Sequence, residues 1–458
     1  MAVMNWLLRY RPQAEVNQLA QVKGYLEAFE HLCVIAQYER ALTLISVRLN
    51  TPSQDILHYQ LKLWGYAQER TALYQALIGR GQPPWNARVL QFLGESYFSQ
   101  GNYESAKENY EKSLAIFEKL GDATNAGVLS GALGDVFYAL GEFDLAIAYQ
   151  TRWLAQARAA GLLYGEEIAL GSLGNIYESK GEFLKARDFH QQHLEIARRT
   201  EDFEMEGAAL GNLGSCYQSL GEYAEARDFQ QQHLALARRI GNRQGESNAL
   251  GGIGSACLSL GELNPAASWF EQQQEIAKEI GDRLGEGNAL GALGNVCFAK
   301  KDYEGAIAYH QQHLEIVRAL GHKQSWLYAL GGLGNAWSAV EDFEQSRSCY
   351  EQQLALAEEV GDRLGEALAC GNLGVVAYER DEYEQAAAWM EQELTLLREI
   401  GDRVREGRAL CNLGNVLMMV GESARTAVCY REGLAITQAV KDRQGEESAL
   451  EALERLEG

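Results

Sequence analysis

The sequence predicts an all-α solenoid of stacked helical hairpins, and three observations point to it. From Gly81 the chain divides into nine blocks of 40 residues, with no shift of register up to residue 440. Each block carries two stretches of apolar or small residues at helical spacing, broken once near the middle. Glycine marks the junctions: Gly121, Gly161, Gly241, Gly281, Gly321, Gly361 and Gly401 each open a block. Units of this period bury their apolar faces against their neighbours, so the array offers a long surface rather than a single pocket.

The block 161–200 shows how each hairpin is written. Ile168, Leu170, Leu173, Gly174 and Tyr177 form the first helical stretch, and Gly181 interrupts it. Phe183, Ala186, Phe189, Leu194, Ile196 and Ala197 form the second. At the junctions Gly281-Asp282, Gly361-Asp362 and Gly401-Asp402, glycine suits a left-handed helix end and aspartate suits the next cap. Glu286, Glu366 and Glu406 follow in the first turn, where the helix dipole favours negative charge. Helix A is expected near block positions 3–20 and helix B near 23–39. The many glutamates at fixed block positions read as solvated helix faces.

Helix A also carries paired glycines: Gly171/Gly174, Gly211/Gly214, Gly251/Gly254, Gly291/Gly294, Gly331/Gly334 and Gly371/Gly374. Each interior glycine costs about 1 kcal/mol relative to alanine. The second of each pair is expected to let a neighbouring helix backbone sit close. The first leaves room either for a ligand on the exposed inner face or for tight curvature.

These residues resemble a known family. Leu173-Gly174, Tyr177, Gly181, Phe183 and Ala186 follow the tetratricopeptide repeat (TPR) pattern, with a period longer than the usual 34. Blocks such as "GDRLGEGNALGALGN" and "FHQQHLEIA" resemble the long, 40-residue-repeat subfamily, which includes the Pins-type Leu-Gly-Asn adaptor arrays and bacterial TPR arrays. The resemblance covers 81–440. It implies a right-handed superhelix of antiparallel helix pairs, with helix A lining a concave groove from block positions 8, 11, 12, 15 and 18. Carried onto this chain, the partner-binding residues are Asn248, Asn288, Tyr328 and Arg408 at position 8, and Asn212, Asn372 and Asn412 at position 12. Asn175, Asn295, Asn335 and Asn415 stand at position 15 and Tyr378 at position 18. Asparagine both donates and accepts, so it can hold a peptide by its backbone. The adaptors read acidic peptides with arginine at position 8; among the residues carried over here, Arg408 matches.

Charge narrows the partner. The chain has 63 acidic and 41 basic side chains, a net charge of −22. Residues 1–80 hold eight basic and six acidic residues, a net +2, which leaves −24 on 81–458. That field repels phosphate backbones and anionic headgroups, so neutral or basic proteins or peptides are favoured and nucleic acid is not. No stretch reaches the roughly 20 apolar residues of a membrane span. The eight cysteines form no CxxC pair and read as reduced, in a cytoplasmic protein.

The ends depart from the register. Residues 1–80 read as an irregular helical N-terminal cap, or a docking element suggested by the apolar "MAVMNWLL", bounded by Pro83-Pro84. Residues 441–458 read as a lone capping helix A, with Glu451 and Glu454 where glycines stand elsewhere. No catalytic constellation, nucleotide loop or cofactor site stands out. His190/His193 and His310/His313 have chelating spacing, but no Cys or carboxylate is placed in sequence to complete a metal site. The expected function is a non-enzymatic scaffold or adaptor that binds a peptide or protein segment in its groove. The alternatives are an assembly factor for a multisubunit complex, or a peptide-gated regulator acting through residues 1–80.

Overall fold

The structure, a computed structural model, describes residues 18–46, 48 and 56–457. The apolar start "MAVMNWLL" lies outside them. The chain forms two compact units, Met1–Leu220 and Gly221–Gly458. Among the described residues the regular elements are α-helices, with one isolated antiparallel bridge between Arg48 and Ile56.

The first unit opens with α1 (Gln18–Val34), α2 (Tyr38–Ile45), α3 (Leu57–Leu63) and α4 (Ala67–Gln75). Its hairpins are α5 (Pro83–Ser99) with α6 (Tyr103–Leu120), α7 (Ala123–Ala139) with α8 (Phe143–Ala160), and α9 (Leu163–Ser179) with α10 (Phe183–Thr200), followed by α11 (Phe203–Ser219). The second unit begins with α12 (Tyr223–Ile240). It continues as α13 (Arg243–Ser259) with α14 (Leu263–Ile280), α15 (Arg283–Ala299) with α16 (Tyr303–Leu320), and α17 (Lys323–Ala339) with α18 (Phe343–Val360). Then come α19 (Arg363–Glu379) with α20 (Tyr383–Ile400), α21 (Arg403–Val420) with α22 (Ser423–Val440), and α23 (Arg443–Glu457). Each unit is thus an all-α stack of antiparallel pairs. Among the described residues no helix is long and apolar enough to cross a membrane.

The junctions work as their residues require. Gly281, Gly361 and Gly401 adopt φ of 74°, 71° and 73°. The next side chain then caps helix A: Asp282 accepts from the Gly285 N–H and Asp362 from the Gly365 N–H. Glu201 and Lys441 occupy the same left-handed position without being glycine, at φ of 55° and 60°. Pro83 begins α5, where a missing N–H costs nothing.

The paired glycines serve side chains, which corrects the backbone-approach and ligand-room expectations. A methyl at Gly334 would lie 2.5 Å from the Tyr350 ring, and one at Gly254 would lie 2.6 Å from Phe270. One at Gly291 would lie 2.6 Å from His313. The second glycine therefore faces block position 30 of its own helix B, and the first faces position 33. Large side chains of helix B fill the grooves the glycines leave. In the last hairpin the sizes exchange: Cys411 stands opposite Gly433.

A second correction concerns glutamate. Glu246, Glu286, Glu366 and Glu406 are buried rather than solvated. Arg238 and Arg243 bracket Glu246 at 2.7 and 2.6 Å. Arg398 and Arg403 bracket Glu406 at 2.8 and 2.5 Å, across the turn between consecutive hairpins. Paired in this way, a carboxylate can be buried in its charged form.

Helices α1–α4 pack Tyr25, Phe29, Leu44, Leu61 and Tyr74 into one core. That core continues into Val89 and Leu93 of α5. At the other end Glu451 and Glu454 of α23 are exposed.

Candidate functional site

Helical periodicity puts block positions 8 and 15 of each helix A on the side away from its helix B partner. Asn175, Asn248, Asn288, Asn295, Asn335, Arg408, Asn412 and Asn415 are all exposed there. Asn212, Asn372 and Tyr378 are half-buried. Tyr328 is 71% exposed, the most open large apolar side chain of the array.

In the second unit the structure gathers five of these residues at one place. Asn288, Asn295, Tyr328, Asn335 and Asn372 line a cleft of about 640 Å³ formed by α15, α17 and α19. Gly291, Ala292, Gly331 and Gly332 also line it, with His313, Gln353 and His310 standing against the three glycines. Asn335 and Asn372 also line an adjoining cleft of about 600 Å³ with Phe298, Val375 and Glu379. The remaining predicted residues lie apart. Asn175 and Asn212 bond each other in the first unit at 3.2 Å. Asn248 accepts from Gln244 at 3.3 Å. Arg408 holds Asp442 with two bonds, at 2.7 and 2.8 Å, so this arginine of the adaptor pattern is already paired within the chain.

Not every amide in this row is free. Tyr350 donates its hydroxyl to Asn335 Oδ1 at 2.6 Å, and Tyr430 does the same to Asn415 at 2.7 Å. Each asparagine keeps its NH₂ donors for a ligand.

The first unit holds a more apolar cleft that sequence reasoning missed. It measures about 560 Å³ and is lined by Val128, Trp153, Leu162, Tyr164 and Ile168, with Asp135 at one side. Burial pushes the Asp135 carboxyl up to about 6, against the hydrogen bond donated by Gln150 at 2.7 Å. The signal was Trp153, a large residue facing three glycines, Gly127, Gly131 and Gly165.

A third grouping overturns the expectation that no Cys or carboxylate accompanies the paired histidines. Glu178 of α9, His190 of α10 and Cys216 of α11 bring one donor atom each within 4.8 Å of one another. His190 is fully buried, and neither ring nitrogen has a hydrogen-bond partner. Burial lowers its pKa to about 4. Burial pushes the Cys216 thiol up to about 12; the Glu178 carboxylate adds to this and Arg187 opposes it.

The family model described as tetratricopeptide repeat matches six overlapping segments: residues 85–159, 125–199, 164–239, 205–279, 245–319 and 327–399. No curated protein sequence matches significantly. Among solved structures, the apo quorum sensor NprR from B. thuringiensis is similar at 15% identity and a TM-score of 0.54, covering 74% of this chain and 99% of its own. Aspartyl phosphate phosphatase F from Bacillus subtilis is similar at 11% identity and a TM-score of 0.54, covering 74% and 95%. The apo form of RapI is similar at 14% identity and a TM-score of 0.53, covering 60% and 99%. At these identities the likeness is one of fold. With the repeat model matching well over half of its length and capped helical hairpins in both units, the chain belongs to the tetratricopeptide repeat family.

Proposed function

We propose that this protein is a non-enzymatic interaction scaffold whose α15–α17–α19 cleft holds a peptide or protein segment. The observation that carries the reading is the gathering of Asn288, Asn295, Tyr328, Asn335 and Asn372 around one cleft. A segment lying in this cleft passes these side chains. The amides then meet its N–H and C=O groups, and the exposed Tyr328 offers an apolar face to a side chain. The chain's net charge of −22 favours a neutral or basic segment. An adaptor, an assembly factor and a peptide-gated regulator would all use such a groove; they differ in what the bound segment belongs to.

The test begins with the full chain as bait, because the N-terminal core shares Val89 and Leu93 with the array. For a partner captured this way, affinity is measured against the triple variant Asn295→Ala, Tyr328→Ala, Asn372→Ala. Hydrogen bonds of this kind contribute about 0.5–1.5 kcal/mol each, so affinity should fall by more than about tenfold. Circular dichroism checks that the fold survives. Unchanged affinity would move the site off this cleft.

A further inference from the structure

We propose that Glu178, His190 and Cys216 form a binding site for a zinc-class divalent metal ion, built across the junction of two repeats. Carboxylate, imidazole and thiolate are each ligands of this ion. A tetrahedral zinc centre with bonds of about 2.0–2.3 Å sets its donors about 3.3–3.8 Å apart. The three donor atoms here already lie within 4.8 Å of one another, on three successive helices. Side-chain adjustment alone can therefore close the site.

The second observation is His190 itself. It is fully buried, yet both ring nitrogens lack a partner. Buried polar atoms left unpaired cost about 1–3 kcal/mol. A metal bond gives one of these nitrogens the partner that the protein does not supply. The ring is held in place because Gly174 opens the groove it occupies, where a methyl would lie 2.3 Å from the ring.

The repeat provides its own comparison. His310 stands at the same block position as His190. The residues equivalent to Glu178 and Cys216 around it are Phe298 and Ala336, which offer no donor. The metal set is therefore a property of one junction and not of the repeat. On binding, the Cys216 thiol gives its proton to water as the sulfur–metal bond forms. Carboxylate and thiolate then offset the two positive charges of the ion. Three protein donors leave the fourth tetrahedral position for water or a partner side chain.

The experiment uses the full chain stripped with a chelator and titrated with cobalt(II), followed by zinc competition. The expected result is one ion per chain with a thiolate-to-cobalt charge-transfer band that zinc removes. Cys216→Ala, His190→Gln and Glu178→Gln each place a residue that already stands at that block position elsewhere: Ala256, Gln230 and Gln218. These variants should fold. Cys216→Ala should lose the band, and the other two should bind more weakly by at least the roughly 10–100-fold that loss of an outer-shell partner costs. His310→Gln should bind as the parent does. The proposal is overturned if the chain takes up no stoichiometric ion, or if the charge-transfer band survives Cys216→Ala.

Discussion

The hydroxyl of Tyr350 donates to Asn335 Oδ1 at 2.6 Å, while the ring lies in the groove left open by Gly334. One side chain of helix B thus fills the hairpin core and orients a groove amide on helix A. A methyl at Gly334 would come within 2.5 Å of that ring. Overpacking costs about 1–3 kcal/mol, and alanine's better helix propensity offsets about 1. Gly334→Ala should therefore lower stability by about 1 kcal/mol net, read from the urea midpoint. In a Gly334→Ala/Tyr350→Ala double variant the clash is gone, so the double should cost less than the sum of the singles. Additive costs would mean that the glycine is not there for the ring.

The buried carboxylate of Glu406 depends on two arginines. Its side chain is 2% exposed, whereas Arg398 and Arg403 are about half exposed, at 45% and 56%. Either arginine alone still neutralises it, so Arg398→Ala and Arg403→Ala should each cost about 1 kcal/mol. Removing both leaves an uncompensated buried charge, for which about 3–5 kcal/mol is expected. Denaturant melts of the three variants check this, and strict additivity would argue against a shared partner.

Acid should unfold this protein earlier than carboxylate chemistry alone would suggest. Burial lowers His310 and His313 from 6.5 to about 4. Between those values the unfolded imidazoles take up protons and the folded ones do not. The stability these two histidines contribute therefore falls as pH drops from 6.5 to about 4, then levels off. Replacing both with glutamine, as found at Gln230 and Gln353, should make that limb shallower, because His190 and His193 keep the same lowered values, and leave stability near pH 8 little changed. Thermal melts across pH 4–8 supply the measurement, and an unchanged slope would refute it.

Glu393 should show the opposite slope. Burial raises its carboxyl from 4.5 to about 7. The folded state keeps its proton where the unfolded state has lost it, so stability decreases as pH rises through that window and is flat above it. Glu393→Gln places the residue found at Gln273 and Gln353. It should raise stability at pH 8 by about 1–2 kcal/mol, discounted for partial exposure, and change little near pH 4. A destabilised Glu393→Gln protein at pH 8 would contradict this.

The sequence by itself determined the repeat and everything local to it. A 40-residue register, the spacing of residues such as Leu173 and Tyr177, and Gly-Asp junctions dictate two capped helices per block through short-range rules. The family and the exposed row of asparagines were legible for the same reason, since helical periodicity fixes which side chains share a face. Only the tertiary structure decided what faces what between helices. Gly334 serves Tyr350, a neighbour 16 residues on, and Glu406 is buried by arginines from two sides of a turn. Glu178, His190 and Cys216 span 39 residues and three helices, and meet at a repeat junction that spacing rules within one helix do not reach. Periodicity gives the face of a helix. The depth at which a side chain sits, and the atoms it meets there, depend on how neighbouring helices pack.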